Sequence, residues 1–76
     1  MNKDYDINPA YYSKKGLIDA YVQGQMSTRT GYRWFSRELA RYPGLTDRLA
    51  ALGYSPHQRT LTRAQLIAIF DAIGEP

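Results

Sequence analysis

The sequence predicts an all-α fold: a compact three-to-four-helix domain whose first two helices resemble a helix-turn-helix pair. Three observations predict it. Apolar residues recur at helical spacing in separate stretches, most clearly Leu66, Ile69, Phe70 and Ile73. Boundary residues bracket those stretches, with Ser13, Ser27 and Thr62 as caps and Gly24, Pro43, Gly53 and Gly74 as stops. The 76 residues are 43% hydrophobic and include no cysteine, which suits one packed core without disulfide staples.

Residues 1–8 lack periodicity and are expected to form a flexible N-terminal arm, leaving residues 9–76 as a single helical domain. Residues 9–12 are expected to run extended into the first helix. Ser13 caps that helix over residues 14–22, with Leu17, Ala20 and Tyr21 on its inner face and Gly24 as its stop. Lys14 and Lys15 oppose the positive helix start, which weakens the first turn or reserves it for an anion. Residues 23–26 form a short connection, and Ser27 or Thr28 caps a second helix that runs to about Tyr42. Pro43 ends it, because proline disfavours the α conformation in the residue before it.

A third, short helix is expected from Gly44 or Leu45 to Leu52, with Leu45, Leu49 and Leu52 sharing a face and Gly53 closing it. Residues 54–60 read as a loop. The last helix has the clearest start. Thr62 and Gln65 have the spacing of a capping box, and Leu61 with Leu66 that of a hydrophobic staple. Residues 10–12 and 59–61 both lead directly into helices, and they leave room for a minimal two-stranded β pairing.

Composition narrows the function classes. Without cysteine there is no thiolate catalysis and no cysteine zinc site, and a lone histidine, His57, builds no metal centre by itself. No serine or threonine stands beside a recognisable general base. The expectation is therefore a binding protein and not an enzyme, with no cofactor, no metal and no evident small-molecule substrate. The longest apolar run, residues 66–70, is far short of a membrane span, and the polar start lacks a secretory signal, so the expected location is the cytoplasm. A net charge of +3 favours polyanions mildly.

The functional signal concentrates on the second helix. At about 100° per residue, Gly31, Phe35, Leu39 and Tyr42 share an inner sector. Arg29, Arg33, Arg37 and Arg41 recur every four residues on the opposite sector, and Glu38 is the one acid among them. A solvated face explains many charge runs on helices. Like charges four residues apart destabilise a helix, however, so this ridge is not there for helix stability. In a helix-turn-helix pair the N-terminal residues of the second helix lie nearest the bases. That assigns Thr28, Arg29, Thr30 and Arg33 to reading duplex DNA, and Arg37, Arg41, Lys14 and Lys15 to phosphates. The footprint is small, so useful specificity requires a homodimer or a protein partner. The alternative is a protein–protein interaction adaptor anchored on Trp34, expected as an exposed indole bordering the ridge, together with tyrosines and arginines.

A resemblance covers residues 12–76. It rests on Tyr12-Ser13-Lys14-Lys15, on Phe35 with Leu39, on Tyr42-Pro43-Gly44-Leu45 and on Leu52-Gly53-Tyr54. Leu61-Thr62 with Gln65 and the terminal Ile73-Gly74-Glu75-Pro76 complete it. In these the chain resembles a Bacteroides-type domain-of-unknown-function family of short helical proteins that end in Leu/Ile-Gly-Glu-Pro. Where that pattern carries a tryptophan just before Leu39, this chain has Glu38, with Trp34 one turn earlier. The resemblance implies a bacterial, all-helical domain and supplies no activity.

Overall fold

Helix starts leave backbone N–H groups without partners, and three short polar side chains of this sequence meet that need. In the computed structural model, which describes residues 6–76, Ser13 Oγ accepts from the Gly16 N–H at 3.3 Å and opens α1, Lys14–Val22. Ser27 Oγ accepts from the Thr30 N–H at 3.2 Å and opens α2, Thr28–Arg41. Pro43, which has no N–H to satisfy, begins α3, Pro43–Ala51, without a side-chain cap. Thr62 opens α4, Arg63–Ile73. Its Oγ1 accepts from the Gln65 N–H while Gln65 Oε1 accepts from the Thr62 N–H, both at 3.1 Å. The expected capping box is therefore complete. α3 begins one or two residues earlier than expected, since Pro43 serves both to stop α2 and to start α3.

Two expectations near the N-terminus are corrected. Pro9–Tyr12 forms a turn of 3-10 helix and does not run extended. Pro9 fixes a helical φ at its first position, and Asn8 Oδ1 accepts from the Ala10 N–H at 3.0 Å. With residues 9–12 coiled, only Ser13 is left extended beside residues 59–61. The β pairing shrinks to one antiparallel bridge between Ser13 and Thr60. It is flanked by Lys14 N–H to Arg59 O at 2.8 Å and Leu61 N–H to Tyr12 O at 2.7 Å. The described residues form four α-helices and no strand. Most of the N-terminal arm expected over residues 1–8 lies outside the described residues.

The core gathers Leu17, Ile18 and Val22 of α1, Phe35 and Leu39 of α2, and Leu45 and Leu49 of α3. Leu61 joins them with Leu66, Ala68, Ile69 and Phe70 of α4. α1 is thus rotated from its expected face: Ile18 and Val22 are buried, whereas Ala20 and Tyr21 are half-buried at the rim. Gly31 explains the rotation. A Cβ there would stand 3.1 Å from Ile18 Cγ2, so α2 passes closely over Ile18 because residue 31 has no side chain. Gly16 plays the same part for the 3-10 turn, whose Ala10 carbonyl occupies the space a Cβ would need. Leu52 is a second correction. It is 37% exposed because it follows the last turn of α3, where its carbonyl accepts from Gln65 Nε2 at 3.0 Å. Ile73 and Tyr42 are half-buried against the core.

At the far end, the Tyr21 hydroxyl donates to the Gly74 carbonyl, joining α1 to the end of α4. Burial, chiefly, pushes the Tyr21 phenol above its ordinary range, helped by the charges of Glu75 and Tyr11. Burial raises Tyr54 as well.

Three outcomes follow from this packing. Phe70→Ala removes a ring that is buried and met edge-on by Tyr11 at 6.3 Å. It is expected to destabilise the domain by about 3–5 kcal/mol in urea unfolding. Thr62→Ala should cost about 0.5–2 kcal/mol and speed amide exchange in the first turn of α4. Alkaline pH tests Tyr21 and Tyr54. Both phenols ionise at a higher pH in the folded protein than in the unfolded chain, where they ionise near pH ~10. The stability they contribute is therefore present below that pH and lost as pH rises toward the folded values. Tyr21→Phe should flatten the fall in urea midpoint between about pH 10 and 11, at a loss near neutrality of about 0.5–1.5 kcal/mol.

Candidate nucleic-acid interface

α2 separates its residues by type around its circumference. Gly31, Phe35 and Leu39 are buried, whereas Arg29, Arg33, Arg37 and Arg41 are exposed. Their four-residue steps drift by about 40° each and advance about 18 Å from first to last, so the guanidinium groups form a slanting ridge. Arg41 meets Glu38 at 3.5 Å, and the Glu38 side chain is 18% exposed. Among the described residues no carboxylate pairs with Arg29, Arg33 or Arg37. Unpaired guanidinium groups on an open helix face present planar forks of donors, the geometry that phosphates and guanine edges accept.

The other expected contacts are placed unevenly. Thr28 and Thr30 are exposed in the first turn of α2, and Ser27 Oγ–H donates to Thr30 Oγ1 at 3.0 Å. That bond ties one of the two hydroxyls into the cap. Lys15 is exposed on α1, with its Nζ 3.0 Å from Asp19 Oδ2. Lys14 leaves the set. It is 3% exposed, and its Nζ donates to the Pro56 carbonyl at 2.8 Å. The ammonium also lies 5.1 Å from the centre of the Tyr54 ring and 6.0 Å from that of Phe35. Burial holds its pKa below the usual lysine range. A phosphate cannot reach that ammonium without opening the fold.

Trp34 is also corrected. It is half-buried, with its ring 5.8 Å from that of Tyr21 and tilted by 52°, so it does not stand free beside the ridge. The indole lines a shallow hollow with Val22 and Met26, and Gln23 and Gln25 of the turn after α1 line it as well. Gln23 and Gly24 make that turn with successive positive φ values of 52° and 76°.

One feature escaped sequence reasoning. Ser13, Lys15, Tyr32, Pro56, His57 and Arg59 line an open cleft of about 440 Å³ beside α2. Three separate segments build it, so no local pattern announces it. The available sign was a loop holding His57 and Arg59 directly ahead of the α4 cap.

Among the described residues, no group of three or more His, Asp or Glu side chains is placed to hold a metal, and no helix is long and apolar enough to cross a membrane. Neither a curated protein nor a solved structure shows significant similarity to the chain. A family model does: with residues 10–76 matched, the chain belongs to the family described as Domain of unknown function (DUF4248).

Proposed function

We propose that this domain binds duplex DNA, with α2 as the element that meets it. The observation that carries the reading is the run of four exposed arginines on α2, three of them without a carboxylate partner among the described residues. The short α1, the turn at residues 23–27 and the serine-capped α2 follow one another as in a helix-turn-helix pair. Thr28, Arg29, Thr30 and Arg33 face the bases under this reading, while Arg37, Arg41 and Lys15 meet phosphates. The domain would work in the cytoplasm of a Bacteroides-type bacterium, as a dimer or beside a partner that enlarges its footprint.

Electrophoretic shift of duplex DNA at two salt concentrations tests this. If the four arginines each neutralise one phosphate, log K falls against log salt with a slope of about −3.6, and a fourfold rise in salt weakens binding by roughly two orders of magnitude. Arg37→Ala or Arg41→Ala should weaken binding to all sequences alike and make the slope shallower by about 1. Arg29→Ala or Arg33→Ala should change the preference between sequences. Absence of any shift at about 50 mM salt sinks the DNA reading. If Trp34→Ala then abolished a protein contact, the adaptor reading would replace it.

A further inference from the structure

We propose that the cleft between the start of α1, Tyr32 and the loop at residues 56–59 is a binding site for a nucleoside monophosphate unit, free or at the end of a strand. Its charged lining is of one sign. Lys15 and Arg59 contribute full positive charges to its wall, His57 adds a ring that can donate, and among the described residues no carboxylate lines it. Among the described residues Arg59 has no ion-pair partner. Lys15 touches Asp19 at 3.0 Å, but both side chains are about half exposed, at 59% and 51%. A pair so exposed is weak and yields readily to a stronger anion.

Two further sources of positive potential lie behind the wall. Lys14 donates to the carbonyl of Pro56, itself a lining residue, so a buried ammonium is one hydrogen bond away from the wall of the cleft. A buried charge is screened less than a surface one. α1 also begins here, and its N-terminal end carries a partial positive charge. A phosphate bearing two negative charges is complementary to all of these at once.

The volume argues for more than a phosphate. About 440 Å³ lies within the range of about 300–1,000 Å³ typical of small-molecule sites, which leaves room for a sugar and a base. Tyr32 and Pro56 give flat apolar walls of the kind on which a base rests, while Ser13 and Gln58 offer hydrogen-bonding groups. This site stands apart from the arginine ridge. Tyr32 lies about 60° from Arg29 around α2, on the side toward the core, and the cleft uses none of the four arginines.

The test is titration of ¹⁵N-labelled protein with adenosine 5′-monophosphate, inorganic phosphate and adenosine, followed by amide chemical shifts. The nucleotide should move the amides of Lys15, Tyr32, His57 and Arg59. Inorganic phosphate should move the same amides more weakly, and adenosine least. Arg59→Ala should weaken the nucleotide by about tenfold, since a charged hydrogen bond is lost, while Arg37→Ala leaves its affinity unchanged. A short single strand with a 5′-phosphate, compared with its 5′-hydroxyl twin, separates the sources. Tighter binding of the phosphorylated end identifies a strand terminus, and equal binding of the two with the nucleotide tighter than both identifies the free molecule. Nucleotide shifts confined to the arginine ridge, no shifts at all, or an Arg59→Ala variant with unchanged affinity would each overturn the proposal. Duplex binding weakened in Arg37→Ala while nucleotide binding is unchanged separates this site from the DNA reading.

Discussion

The ammonium of Lys14 lies in a site only 3% exposed and reaches 42 residues along the chain to the carbonyl of Pro56. A buried charge is expensive unless it is hydrogen-bonded, so this contact constrains its surroundings strongly. The loop at residues 54–60 cannot lift away without stranding the ammonium, and the rings of Tyr54 and Phe35 close over it. Backbone bonds on both sides of the Ser13–Thr60 bridge fix the same junction. The start of α4 is thereby set. From there Gln65, 2% exposed, accepts from Gln58 and the Thr62 N–H and donates to the carbonyl of Leu52. One lysine thus ties the beginning of α1 to the loop, and one glutamine ties the loop and the end of α3 to α4.

Helix boundaries were legible in the sequence because their causes are local. Ser13, Ser27 and Thr62 each satisfy an amide three residues away, and Pro43 acts on its own neighbours. The misreadings have distant causes. Position 14 falls on the inner face of α1, one turn before Ile18, but its charge argued for solvent; the Pro56 carbonyl that accepts it is visible only once the loop has folded. Tyr21 against Ile18 was undecidable from α1 alone, since a glycine on another helix chooses the face. Trp34 is partly covered by the Tyr21 ring of α1, and the cleft needs three segments at once. The arginine ridge, by contrast, was visible from its four-residue spacing.

Acids are placed so as to leave that basic surface open. Asp19 takes Lys15, Glu38 takes Arg41 and Asp71 takes Arg48, the last at 3.2 Å between α3 and α4. Arg29, Arg33, Arg37 and Arg59 keep their charges uncompensated among the described residues. Exposed pairs of this kind contribute about 0–1 kcal/mol, so their placement matters more for the shape of the field than for stability.

The spacing of the ridge has a consequence for folding itself. Arg29, Arg33, Arg37 and Arg41 form three successive like-charge neighbours at i,i+4, each opposing the helix by about 0.2–0.5 kcal/mol in dilute buffer. Together that is roughly 1 kcal/mol, a noticeable share of a stability of about 5–15 kcal/mol. Dissolved ions relieve this repulsion within a Debye length of about 10 Å at 0.1 M. Added salt therefore steadies α2 as a folded element, the reverse of its effect on attraction to a polyanion. A bound polyanion relieves the same strain directly, so α2 is the helix whose ordering gains most from contact with one.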